Sequence, residues 1–273
     1  MLAPLALLLA VNWTPVVQAL GRAGAEQPGG VYKVSFPRSD LAVTADGVAV
    51  KPALALGSWV AFKGNMVMGD LVLLESEVNP VISALQAGGI EQTAIHNHLI
   101  GESPHVMYVH IVGHQDASGL ARTIHNALAL TKTPMGPAPP PSAPELELPA
   151  LDPIMKYKGK VNGGVWQYAI PRAETITEGG MEIPPAMGTA TAINFQPTGG
   201  GRAAISGDFV MTAAEVNPVI RALRGGGIAV TALHSHMLGE SPRLFFMHFW
   251  ANDDAKKLAT TLRAALDRMH VAK

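Results

Sequence analysis

Cysteine is absent from all 273 residues. That removes disulfides, zinc thiolates, iron–sulfur clusters and thiol catalysis together. Charge is scarce as well: Asp, Glu, Lys and Arg make up only 15% of the chain and nearly cancel, leaving a net charge of −1 with the histidines neutral. No basic run goes beyond Lys256-Lys257, so the electrostatic footprint of a nucleic-acid binder is missing. The glycine clusters Gly199-Gly200-Gly201 and Gly225-Gly226-Gly227 lack the lysine of a P-loop and the spacing of a dinucleotide fingerprint. Ser103 and Ser241 carry no independent Ser/His/Asp signature. The apolar run Met1 to Ala10 is too short to span a bilayer. It reads as the clipped remnant of an export signal at residues 1–11, with a docked apolar turn as the alternative.

What is present is a chain with 48% hydrophobic residues, ample for a large core. It is also a chain written twice. Glu77-Val78-Asn79-Pro80-Val81-Ile82 returns unchanged as Glu215-Val216-Asn217-Pro218-Val219-Ile220. Gly29-Gly30-Val31-Tyr32, ending at Phe36-Pro37-Arg38, returns as Gly163-Gly164-Val165-Trp166, ending at Ile170-Pro171-Arg172. The first repeat covers 12–132 and the second 150–273. The Pro-rich stretch 133–149 between them favours an extended polyproline linker.

Within the first repeat, Asn12 is placed to cap a short helix ending near Gly21. Val31 to Phe36 alternates like a strand, and Leu41 to Val50 reads as a hairpin around Asp46-Gly47. Ser58 to Phe62 and Met66 to Leu74 are further strands. Ser76 is placed to cap a helix from Glu77 to Gln86 that Gly88-Gly89 stops. Gln92 to Leu99 and His105 to Val112 form a strand pair, and Asp116 caps a last helix with Leu120, Ile124, Ala127 and Leu128 on its apolar face. The second repeat follows the same order to a helix over Asp254 to Met269. The expected fold is therefore α+β. It has two fused copies of an antiparallel-sheet unit (strands, helix, strand hairpin, helix) related by a pseudo-twofold internal repeat.

The chemistry concentrates in one nine-residue stretch, His96 to Pro104, repeated as His234 to Pro242. Residues two apart on a strand share a face, so His96 and His98 point the same way. A tight turn around Glu102–Pro104 sets His110 opposite His96, at a β-carbon separation of about 4.5–5.5 Å. Three imidazoles then cluster on one face, with Glu102 on the rim. Ile95, Leu99, Met107, Val109 and Ile111 face the other way, as core. The same parity groups His234, His236, His248 and Glu240. Imidazoles and a carboxylate in this pattern suit a divalent transition metal, with zinc and copper leading and iron and nickel also compatible. The spacing His-x-His-x-x-x-Glu is also the first metal motif of cupins, but the helices around it break the cupin run of strands, so the likeness concerns ligand geometry alone.

Together these residues resemble a bacterial family of unknown function, the LppY/LpqO-type lipoprotein-related family. The resemblance rests on Asn12-Trp13 with Pro15 and Gln18 to Gly21, on Gly29 to Arg38, on Lys51 to Phe62, and on His96 to Pro104 with its second copy. It implies an exported bacterial protein. With no cysteine to carry a lipid, a periplasmic or secreted form is expected. The first functional expectation is a metal-binding protein with one His/Glu site per repeat or one site shared by both. The second is a metal-dependent hydrolase or oxygenase using Glu102 or Glu240 as general base. The third is a structural or interaction module whose polar clusters fix hairpin register. Beyond the metal ion, neither nucleic acid nor a membrane span is expected as a partner.

Overall fold

The structure, a computed structural model, describes residues 11–137, 148 and 150–273. The expected signal remnant and most of the Pro-rich linker lie outside the described residues. The first half runs α1 (Thr14–Leu20), β1 (Ala25–Gln27), β2 (Val31–Pro37), β3 (Thr44–Ala45), β4 (Val48–Ala49), α2 (Pro52–Ala55), β5 (Gly57–Lys63), β6 (Met66–Leu74), α3 (Glu75–Ala87), β7 (Glu91–His96), β8 (Val106–His114) and α4 (Ala117–Leu128). The second half runs α5 (Asp152–Met155), β9 (Lys160–Asn162), β10 (Val165–Pro171), β11 (Thr177–Glu178), β12 (Met181–Glu182), β13 (Ala190–Gly199), β14 (Arg202–Met211), α6 (Ala213–Gly225), β15 (Ala229–His234), β16 (Phe245–Asp254) and α7 (Ala255–Leu266). Helices and antiparallel sheets are thus mixed in two similar halves. Each half builds one six-stranded sheet, in the order β1-β2-β5-β6-β8-β7 and β9-β10-β13-β14-β16-β15. Among the described residues, no helix is long and apolar enough to cross a membrane.

One face of each sheet is covered by its own helices. Val109 and Ile111 of β8 pack with Leu85 of α3 and Leu120 and Ile124 of α4. Phe249 of β16 packs with Leu223 of α6 and Leu262 of α7. The other two faces meet each other, and there the halves line one another's core. Val72, Leu99, Val106 and Tyr108 join Val165, Ala204 and Trp250 in one cluster. Val210, Met237, Leu244 and Phe246, at the corresponding positions of the second half, join Val31, Met66 and Val112 in another. Trp250 also donates its indole N–H to Asp46 Oδ2 at 2.7 Å.

α3 and α6 begin where a glutamate can reach back. α3 starts at Glu75, two residues ahead of the expected start, and Ser76 is not its cap. Glu77 instead takes the third helical position and accepts the Leu74 N–H at 2.9 Å, as Glu215 accepts the Thr212 N–H at 2.7 Å. Pro80 consequently sits inside the helix. The capping carboxylates do a second job. Arg38 is fully buried and binds Glu77 at 2.8 Å, Asp40 at 2.8 Å and the Val72 carbonyl at 2.8 Å. Arg172 repeats this with Glu215, Glu174 and the Val210 carbonyl. The hairpin expected at Asp46-Gly47 forms with φ of 47° and 75°, the left-handed pair of a type I′ turn.

Removing a partner from a buried ion pair leaves a buried charge uncompensated. Arg38→Leu is therefore expected to lower unfolding free energy by about 3–5 kcal/mol, read by urea denaturation. A loss below about 1 kcal/mol, the size typical of an exposed pair, would show that this guanidinium does not tie β2 to α3.

Candidate metal centre

Strand register carries the histidines to the seam between the two sheets. In β8, His110 lies opposite Asp70 of β6 on one side and Ala94 of β7 on the other. His96 faces Tyr108, not His110 as expected. The chain reverses one residue earlier than a turn centred on Glu102–Pro104 would dictate, which shifts the partner by two positions. Parity survives a shift of two, so His96 and His110 remain on one face as diagonal neighbours. His98 lies past the end of β7. Ile95 is 51% exposed and not core, because β7 is the edge strand of its sheet; Leu233 on the edge strand β15 repeats this at 48%. Met107 is half-buried, Val109 and Ile111 are buried under the helices as expected, and Leu99 is buried instead in the cluster between the halves.

Two threonines fix the His-x-His segments from the opposite half. The β7 and β15 ladders each slip by one residue, at Thr93 and at Thr231. A bulge re-aims the side chain of the extra residue. Thr93 Oγ1 donates to the His236 carbonyl at 2.5 Å, and Thr231 Oγ1 donates to the His98 carbonyl at 2.6 Å.

The six expected histidines form one cluster, not two. His96 stacks on His234 at 3.6 Å between ring centroids, His98 on His248 at 3.7 Å, and His110 on His236 at 3.6 Å. Donor atoms of His96, His234, His236 and His248 lie within 4.8 Å of one another, as do those of Asp70, His96 and His98. The Nδ1–H of His248 donates to the Gly207 carbonyl at 2.8 Å and that of His96 to the Asn97 carbonyl at 3.2 Å. That leaves Nε2 as the lone-pair nitrogen when these rings are neutral. All six Nε2 atoms are buried without a hydrogen-bond partner, as are Oδ1 of Asp70 and Oδ1 of Asp208. Asp70 stands 3.7 Å from His98 Nε2 and 3.8 Å from His110 Nε2, and Asp208 stands 3.4 Å from His236 Nε2. Most of these gaps are too long for hydrogen bonds.

Burial sets the protonation. Desolvation first, then the charge of His234, pushes His96 down to about 3, and desolvation takes His234 to about 4. Desolvation, reinforced by neighbouring rings, holds His98, His110, His236 and His248 well below the usual imidazole range. It pushes Asp70 up to about 7, against the pull of Lys33, and Asp208 well above the carboxylate range. Neutral imidazoles with open Nε2 atoms are the form that binds a metal. A buried donor or acceptor left unpaired costs about 1–3 kcal/mol, and a cation among these atoms would satisfy them together.

Glu102 and Glu240 are not brought into this group. Glu102 pairs with His105 Nδ1 at 2.8 Å and accepts the Val106 N–H. Glu240 pairs with Arg243 at 3.1 Å and accepts the Leu244 N–H at 2.9 Å. Both turns are clipped by paired backbone bonds, Thr44 with Ser103 and Thr177 with Ser241. Sequence reasoning missed Asp70 and Asp208. Their signal was a lone acid in an otherwise apolar strand, present in both repeats.

Two mixed α/β halves with antiparallel sheets, meeting across buried histidines and aspartates, define the class: a duplicated α+β protein with a candidate metal centre. The chain belongs to the family described as Domain of Unknown Function (DUF1259), whose profile matches it twice, at residues 14–130 and 149–268. No curated protein matches it. Among solved structures, the trimeric bacterial microcompartment shell protein PduB aligns at 13% identity over 90% of both chains, with a TM-score of 0.24. EtuB from Clostridium kluyveri aligns at 10% identity over 90% of this chain and 89% of its own, with a TM-score of 0.21. Scores this low carry no argument.

The protonation pattern fixes a sign for metal-free protein. The imidazoles bind protons in the unfolded chain below about 6.5 but resist them when folded, so their contribution is complete above that pH and lost on acidification. Asp70 and Asp208 act oppositely, losing stability as pH rises from about 4 towards 7. Six groups outweigh two, so melting temperature in chelator is expected to fall steadily from pH 7 to pH 5. A flat or rising profile would contradict the buried neutral cluster.

Proposed function

We propose that this protein binds divalent transition metal in an extracytoplasmic compartment, at a centre shared by both halves. The observation that carries this reading is the convergence of six buried, unpartnered Nε2 atoms beside two buried carboxylates. Neutral imidazole with carboxylate is a donor set for zinc or copper first, with iron and nickel also accepted. The cluster is shared because the three short stacks between histidine rings each join opposite halves. The two halves are related by a pseudo-twofold axis through the stacked His96–His234 pair. Matching contacts support this: 5.1 Å for His96–His98 against 4.9 Å for His234–His236, and 5.1 Å for His96–His110 against 4.9 Å for His234–His248.

The extracytoplasmic assignment rests on the apolar start of the chain and on the LppY/LpqO-type resemblance, which we retain as part of the proposal. The general-base reading of Glu102 and Glu240 gains no support, since each is tied to its own turn. The metal ion is the partner this reading requires.

Metal analysis of the purified chain, native and after chelation and reconstitution, is expected to find at least stoichiometric zinc or copper. Saturating metal should also raise the melting temperature, since ligand at about 100 times Kd adds about 2.7 kcal/mol. Less than about a tenth of an equivalent of any transition metal after reconstitution, with no thermal shift, would reject metal binding as a source of folding stability.

A further inference from the structure

We propose that the seam holds two metal ions, each on three histidines and one aspartate from a single half. His96, His98, His110 and Asp70 form one set, and His234, His236, His248 and Asp208 the other. This rests on the metal-binding reading above and adds the number of ions, their partition and two ligands.

The argument begins with ring geometry. An imidazole lone pair lies in the plane of its ring, and a metal sits in that plane at about 2.0–2.1 Å from the nitrogen. Two rings stacked face to face cannot both aim such a lone pair at an ion held between them. The cluster contains three face-to-face pairs, at 3.6, 3.7 and 3.6 Å with interplanar angles of 24°, 28° and 22°. Each pair joins one ring of each half. The partners in every pair must therefore serve different ions, which calls for two positions.

The aspartates choose the partition. Oδ2 and Oδ1 of Asp70 face the Nε2 atoms of His98 and His110, and Asp70 groups with His96 and His98 within 4.8 Å. Asp208 faces His236 and lies opposite His248 in the β14–β16 ladder. His234, His236 and His248 share the other four-histidine group. Its fourth member, His96, is stacked on His234, so a single ion on those four rings would need the stacked pair to converge. Three imidazoles and a carboxylate complete a tetrahedral set. A stack spacing of 3.6 Å is in keeping with two ions at the roughly 3.5–4 Å separation of two-metal centres.

The full chain, stripped by chelator, is titrated with Zn2+ and the bound metal counted after desalting. Two equivalents are expected for the parent, and one each for Asp70→Asn and Asp208→Asn, with circular dichroism confirming their fold. One equivalent in the parent overturns the two-ion proposal while leaving metal binding intact; none overturns both. Two equivalents retained by both variants would overturn the assignment of the aspartates as ligands. Should either variant fail to fold, the parent loaded with Cu2+ decides the number of ions. A spin count well below the copper content marks a coupled pair, and a full spin count from isolated copper overturns it.

Discussion

Among the described residues, six imidazole Nε2 atoms and one oxygen of each of two aspartates are buried at the seam without a hydrogen-bond partner. Burial keeps the rings neutral and the acids reluctant to ionise, so no internal salt bridge can relieve them. A protein interior rarely tolerates unpaired polar atoms. Here they are gathered by the central strands β6 and β8 and their counterparts β14 and β16, together with the edge strands β7 and β15 and the segments that follow them. The surroundings are built to hold that arrangement: two apolar clusters flank it, and threonines from each half grip the backbone of the other's His-x-His.

The division of labour between charged groups follows from position. Arg38 and Arg172 take up the capping glutamates and lock the start of each long helix. Glu102 and Glu240 are tied to their own turns and to His105 or Arg243. Asp70 and Asp208 are the carboxylates that stand against the histidine Nε2 atoms. Each follows a glycine, and a β-carbon at Gly69 or Gly207 would come within 2.7 Å of the Trp59 carbonyl or 2.0 Å of the Ala192 carbonyl. The aspartate's strand is thus pressed against its neighbour.

Much of this was legible in the chain. Strand parity gave the common face of each histidine triplet, and β6 has the bounds read from its apolar run, Met66 to Leu74. The helix over Ala117 to Leu128 follows from its Asp116 cap and apolar face. The His96–His110 pairing was wrong by two because turn geometry, not pattern, decides register. Ile95 looked like core because alternation reports which side a residue faces, not whether anything covers that side. The bulges at Thr93 and Thr231 left no local mark, since their reason lies in the other half. Whether two clusters or one would form was open for the same cause: no periodicity describes how two sheets meet. The aspartates were visible as lone acids, but their role depends on neighbours brought from afar.

The exchange of lining residues between the halves has a bearing on how such a chain can change. Duplication ordinarily leaves a spare copy that is free to drift. Here a methionine or tryptophan of one copy walls in the other, and a threonine of each positions the opposite histidines. Neither copy is spare. Divergence is free at the outward rim, where His105 stands against Arg243 and His114 against Asn252, while inward pairs such as Leu99 and Met237 or Tyr108 and Phe246 must change in step with the half they wall in.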